Sequence, residues 1–202
     1  MKERYHQLYT STQITQRIGQ LASEITANYN GDDPSRGKNP LFVSLLRGAA
    51  PFTSRLMFEI ARQAPDFHPE VDYMMTSRYA DSIVPNDETK IIMDLAPDTE
   101  VKNRNVVIVD DVLDMGETAT TVRQHVLDMG ARYVELAVLV EKEAPRETTI
   151  QADYRGFYAP NKWLVGMGMD DGLVAKESYR WADGIWVVDH EDDIDQHALL
   201  KV

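Results

Sequence analysis

The sequence predicts an α/β protein: a mainly parallel, twisted sheet flanked by helices, with a small flap near the C-terminus. Three observations carry that prediction. Residues 105–111, NVVIVDD, form a continuous β-branched run, the pattern of a strand covered on both faces in a parallel sheet. Residues 119–130, ATTVRQHVLDMG, then place apolar positions at helical spacing, and YVELAVLVEK (133–142) reads as a further buried strand. Strand, helix and strand in this rhythm make a right-handed βαβ unit. Finally, 202 residues that are 43% hydrophobic and 27% charged suffice for one sizeable core, so a single domain with a small appendage is expected.

The remaining elements follow in chain order. TSTQITQRIGQLASEITANY (10–29) puts Ile14, Ile18, Leu21 and Ile25 on one helical face. Thr10 and Gln13 are spaced for a capping box at its start. NGDDPSRGKNP (30–40) is a polar loop rich in turn formers. LFVSLL (41–46) reads as a buried strand, and RGAAPFTSRLMFEIARQ (47–63) as a turn feeding a helix, with Pro51 suited to its first turn. VDYMMTSRY (71–79) is a second strand. ADSIVPNDET (80–89) lacks periodicity and reads as an exposed loop, and KIIMDL (90–95) as a short strand. In the helix after residue 118, Val122, Val126 and Leu127 form the apolar face, and Gly130 supplies the C-terminal stop. The last fifty residues alternate short apolar stretches, KWLVGMGM and GIWVV, with polar turns, and are expected to form the flap.

Composition excludes several classes of function. The chain has no cysteine, which rules out disulfides and thiolate metal sites and is compatible with a reducing cytoplasm. MKERYHQLYTSTQ lacks the apolar core of a signal peptide, and no run approaches membrane-spanning length. A formal net charge of -12 argues against generic nucleic-acid or anionic-membrane binding. A locally positive site for a small anion remains compatible with it.

The strand at 105–111 runs into Asp110 and Asp111, with Asp114 three residues on. In an open α/β sheet, ligands bind at the carboxyl ends of strands. The turn DMGET then opens a helix, whose free N–H groups form an anion cradle. Gly116 lets the backbone approach a phosphate, and the hydroxyls of Thr118, Thr120 or Thr121 can add donors. Acids beside such a cradle suit a ligand with both hydroxyls and phosphates, with Mg²⁺ between them. Aspartates at a strand end also serve simply as turn formers or helix caps. Two consecutive acids and a third three residues later are a less common arrangement.

VVIVDDVLDMGETATT (106–121) resembles the phosphoribosyl-diphosphate (PRPP) motif of the type I phosphoribosyltransferases. SLLRGA (44–49), VDYMMTSRY, LVEK (139–142) and DYRGFYAPNKWLVGMGMD (153–170) are similar to the pyrophosphate loop, closing loop, purine-contacting lysine and base-binding segments of the hypoxanthine-guanine branch. The likeness runs from about residue 8 to 188. It implies a core over about 36–150, a base-binding hood over about 151–188 plus the N-terminal segment, and an acidic tail over 189–202.

The resemblance also implies roles. Asp114 would be the general base or acid at the purine ring nitrogen. Asp110 and Asp111 would bind the ribose hydroxyls and stabilise positive charge at the anomeric carbon. Met115, Gly116, Glu117 and Thr118 would hold the 5′-phosphate. Leu46 and Arg47 would be joined by a cis peptide, and with Gly48 and Arg180 would face pyrophosphate. Ser77, Arg78 and Tyr79 would lie on a loop closing over the site. Lys142 would donate to the 6-oxo group, Trp163 would stack on the base, and Leu164 would offer backbone groups to its edge. Asp170 would hold Mg²⁺. A homodimer or homotetramer and a cytoplasmic location would follow. By residue type alone, Arg47 reads as a surface arginine, Lys142 as a solvated strand-end lysine and Trp163 as a core aromatic.

The chain departs from the family pattern on the phosphate side. Met115 stands where relatives have Thr or Ser, removing a hydroxyl donor. Glu117 adds a negative charge, and Arg78 replaces a usual Ser. DGLVAKES (171–178) lengthens the segment before Arg180 and leaves Lys176 as a competitor for pyrophosphate. The implied reading is an active purine-salvage enzyme making IMP or GMP. The alternative is a regulator of the same fold that senses PRPP or nucleotides. DHEDDIDQHALLKV, with His190 and His197, reads as a solvated tail or short helix.

Overall fold

The computed structural model describes residues 4–30, 39–77, 89–146, 148–172, 174–175 and 177–188. Most of the expected loops at 30–40 and 80–89, and the tail from 189, lie outside them. The described residues form, in order, β1 (Tyr5–Tyr9), α1 (Ser11–Asn30), β2 (Leu41–Leu46), α2 (Ala50–Gln63), β3 (Glu70–Ser77), β4 (Lys90–Met93), β5 (Asn105–Leu113), α3 (Glu117–Asp128), β6 (Tyr133–Glu143), β7 (Tyr154–Pro160), β8 (Leu164–Val165) and β9 (Ile185–Val188).

Six strands form the main sheet in the order β4-β3-β2-β5-β6-β7. Every neighbouring pair is parallel except β3 and β4. From β2 the chain proceeds outward to β3 and β4, whereas from β5 it proceeds the other way to β6 and β7. β2 and β5 therefore flank the topological switch point, where α/β sheets open a crevice at their carboxyl edge.

The apolar run of β5 is continuous because the sheet is covered twice. Val107 and Val109 face a core shared with α1 and α2, while Val106 and Ile108 face α3. All four are essentially buried, at about 1.5–3 kcal/mol each for side chains of this size. Ile14, Ile18, Leu21 and Ile25 of α1 lie in the first core, as their spacing predicted. Val122 and Val126 of α3 lie in the second. Leu127, expected beside them, is 38% exposed, because it sits five positions after Val122 and turns away from the sheet.

The C-terminal residues divide between two sheets rather than forming one flap. β7 pairs with β6 and extends the main sheet. Arg17 of α1 donates to the carbonyls of Arg155 (2.6 Å) and Gly156 (3.0 Å), tying β7 to α1. β8 and β9 join β1 in a three-stranded antiparallel hood of order β1-β9-β8. Its apolar side, including Leu164, Met167, Ile185 and Val187, merges with the α1/α2 core. Among the described residues, no helix is long and apolar enough to cross a membrane.

The capping box at α1 is formed. Thr10 N–H donates to Gln13 Oε1 at 2.9 Å, and Gln13 N–H to Thr10 Oγ1 at 3.3 Å. Thr10→Ala removes the side-chain acceptor, and the expected cost is about 1 kcal/mol. A lower urea midpoint with unchanged slope would register it.

Candidate active site

The site is built where β2 and β5 end. Their pairing, from Leu41↔Val106 to Ser44↔Val109, brings the loop after β2 beside the acids of β5. The Leu46–Arg47 peptide is cis, as the resemblance implied. Gly48 lies so close to Asp111 that a Cβ there would overlap the carboxylate. From the other side, Gly168 of the hood, at φ +113°, approaches so closely that a Cβ would overlap the Gly48 carbonyl.

Two adjoining pockets open at this junction. The larger, about 320 Å³, is lined by Leu46, Gly48, Thr76, Asp110, Asp111, the segment 112–119 and Arg180. The smaller, about 210 Å³, is lined by Asp111, Val112, Asp114, Lys142, Trp163, Leu164, Met169, Asp170 and Arg180. Asp111, Val112, Asp114 and Arg180 border both.

The larger pocket combines an anion cradle with paired acids. Gly116 takes a left-handed conformation (φ 86°) as the N-cap of α3, with no side-chain cap bond, so the first-turn N–H groups stay available to a ligand. Thr118 lines this pocket. Thr120 and Thr121, offered by the sequence as further donors, instead line a separate surface depression. The Thr120 hydroxyl donates to Gly116 O at 2.8 Å, inside the helix start. Thr148, for which the sequence held no signal, steadies the cradle by donating to Met115 O at 2.8 Å. Any side chain at 116 would also strike Thr148 and Ile150.

Asp110 and Asp111 sit side by side under the cradle. Removal from water, then the charge of Asp111, pushes the Asp110 carboxyl well above the ordinary value of 3.8. Asp111 is raised too, by burial first, although its bonds to Asp110 and the Val112 N–H (2.9 Å) and the charge of Arg180 act the other way.

The smaller pocket holds the purine-side candidates together. Lys142 Nζ donates to Asp114 Oδ2 at 2.7 Å, with the lysine 11% exposed. Trp163 Nε1 donates to Asp170 O at 3.0 Å, which fixes the indole against the turn bearing Asp170. The Asp170 carboxylate is ion-paired with Arg180 Nη2 at 2.9 Å and accepts from Glu177 N–H at 3.2 Å. Arg180 also donates to Gly168 O, anchoring itself to the hood.

Some candidates are placed elsewhere. Thr76 rather than Ser77 lines the larger pocket, as alternation along β3 requires of neighbouring residues. Ser77 is paired with Lys90 in the β3–β4 ladder. Arg78, Tyr79 and Lys176 lie outside the described residues. The Arg47 side chain reaches across to Glu177 Oε1 at 2.7 Å. Glu177 had no distinguishing mark in the sequence, being one acid among 33.

This geometry places an open helix N-terminus, a buried acid pair and a second, smaller pocket together at one edge of an α/β sheet. Comparison with known proteins agrees. The sequence model of the phosphoribosyl transferase domain matches residues 5–171. A hypoxanthine-guanine phosphoribosyltransferase of Streptococcus mutans is 34% identical over 81% of this chain and 83% of its own length. The bifunctional protein TilS/HprT of Listeria innocua is 36% identical over 81% of this chain, which spans only 23% of that longer protein. A hypoxanthine phosphoribosyltransferase structure from Staphylococcus aureus superposes with a TM-score of 0.78 at 27% identity, covering 94% of each chain. The chain belongs to the phosphoribosyltransferase family.

The raised acids have a consequence for stability. The folded state holds protons on this pair to higher pH than the unfolded chain does, so it loses stability as pH rises above the ordinary aspartate range. Asp110→Asn removes that loss. The Tm difference between variant and wild type, without ligand, should be small near pH 4 and grow in the variant's favour towards pH 8.

Proposed function

We propose that this chain transfers the 5-phosphoribosyl group of PRPP to a 6-oxopurine, hypoxanthine or guanine, releasing IMP or GMP and pyrophosphate. One observation carries the choice of base. Lys142 Nζ and Asp114 Oδ2, 2.7 Å apart, set a donor beside an acceptor on the wall of the smaller pocket. A 6-oxopurine presents the complementary edge, with its oxygen as acceptor next to a ring N7 that can carry a proton. Adenine has an amino donor in place of that oxygen, which would meet the largely buried Lys142 ammonium donor to donor.

The chemistry follows from the neighbours. Asp114 accepts the N7 proton as the purine N9 attacks the anomeric carbon. Asp110 and Asp111 accept the ribose hydroxyls, whose donors favour the ionised pair, and their charge stabilises the cationic sugar. The backbone from Met115 to Thr118 holds the 5′-phosphate at the start of α3. Met115 contributes no hydroxyl, but the N–H donors of this turn remain. Arg47, Arg180 and the backbone of Gly48 receive the departing diphosphate. The 6-oxopurine lies beside Trp163, with Leu164 at its edge.

Among the described residues no group of three or more acids or histidines could cage a metal. Mg²⁺ carried in by the diphosphate would keep water and phosphate ligands and would need only one or two protein carboxylates. Asp170 is the carboxylate that would hold it, and bound there the ion would neutralise charge on the leaving group. A homodimer or homotetramer is what the family resemblance implies for this chain. Zero cysteines suit a cytoplasmic setting.

Initial rates with PRPP, Mg²⁺ and each of hypoxanthine, guanine and adenine test the reading. Turnover is expected with the 6-oxopurines, with adenine slower by on the order of 10³-fold or more. Asp114→Asn should lower kcat by about 10²–10⁴ with little change in KM for PRPP. Binding of PRPP without turnover on any base would overturn the enzyme reading in favour of a sensor.

A further inference from the structure

We propose that Glu177 is a resident counter-ion of the diphosphate subsite: its carboxylate occupies the place of the leaving group between Arg47 and Arg180, and PRPP must displace it. The proposal rests on the reading that those two arginines receive diphosphate. They come from opposite sides of the junction, one from the loop after β2 and the other from the turn before β9. A single carboxylate bridges them, Oε1 on Arg47 Nη1 at 2.7 Å and Oε2 on Arg180 Nε.

Glu177 holds this position at a backbone cost. Its φ of 67° lies in the left-handed region, which side chains other than glycine, Asn and Asp seldom adopt. Its N–H donates to Asp170 Oδ2, so the same residue spans the Arg47, Arg180 and Asp170 groups. Both carboxylate oxygens of Glu177 are engaged by guanidinium groups, one from each arginine.

A bridge of this kind has two possible consequences, of opposite sign. If Glu177 merely ties the turn to the loop, removing its charge disorders two diphosphate ligands and weakens binding. If it competes for them, removing its charge frees two guanidinium groups and tightens binding. The structure favours competition. Arg180 is anchored independently by Asp170 at 2.9 Å and by Gly168 O, so it keeps its place without Glu177. A resident carboxylate also eases pyrophosphate release, because both arginines regain a partner as the product leaves.

Calorimetric titration of inorganic pyrophosphate, PRPP and IMP, each with Mg²⁺, into wild type, Glu177→Gln and Glu59→Gln tests this. Glu59 lies on α2 and pairs with Arg62, so Glu59→Gln makes the same charge change away from the site. Glu177→Gln should bind pyrophosphate and PRPP about tenfold more tightly, with IMP affinity unchanged and Glu59→Gln indistinguishable from wild type. Unchanged or weaker pyrophosphate binding by Glu177→Gln, with normal binding by wild type, overturns the proposal alone. Wild type that binds none of the three ligands overturns it together with the functional reading beneath it.

Discussion

The close approach of two backbones and one carboxylate at Gly48 is the constraint on which the rest of the site depends. Asp111 presses on Gly48 from the β5 side, and Gly168 presses on its carbonyl from the hood. No side chain fits at either glycine without displacing backbone or an acid of the pair. The hood therefore seats directly on the loop after β2. Gly166 repeats the device one step away, where a Cβ would overlap the Gly184 carbonyl that leads into β9. Because the seat is backbone on backbone, Arg180, Asp170 and Trp163 reach the carboxyl edge of the sheet in fixed register with Asp111 and Asp114.

The chain carries a net charge of -12, yet the crevice gathers Arg47, Arg180 and Lys142 from three separate elements. Each cation is matched by an acid: Arg47 by Glu177, Arg180 by Asp170 and Glu177, and Lys142 by Asp114. Asp110 and Asp111 lie against each other, and desolvation raises both, with the charge of Arg180 opposing the rise at Asp111. Strain is thus concentrated where a polyhydroxyl ligand would relieve it, a common exchange of stability for function.

The sheet was legible because its physics is local. A strand covered on both faces must be apolar at every position, and residues 106–109 are. The α1 face and its capping box follow equally from spacing. The edge assignments were less legible. Leu127 satisfied an apolar pattern but lies outside the arc that α3 buries, and β7 carries the same short apolar alternation as the hood strands. Only pairing to β6 places it in the main sheet. At the site, the motif residues 110, 111, 114 and 116–118 come together because they are contiguous. Lys142, Trp163 and Arg180 were accessible through resemblance, since no local signal separates a pocket lysine from a solvated one. Thr148 and Glu177 act through tertiary contacts across 33 and 130 residues, which no window of sequence contains.

In the proposed reading, one donor–acceptor edge, Lys142 with Asp114, selects the base, while the cradle of α3 and the acids of β5 hold the sugar phosphate. Equilibrium binding separates that selection from chemistry. Wild-type protein is titrated with IMP and with AMP, which differ only in the 6-substituent and its adjoining tautomer. Saturable IMP binding is expected, with AMP weaker by about 100-fold or more. Equal affinity for the two nucleotides, or preference for AMP, would rule out selection by that edge.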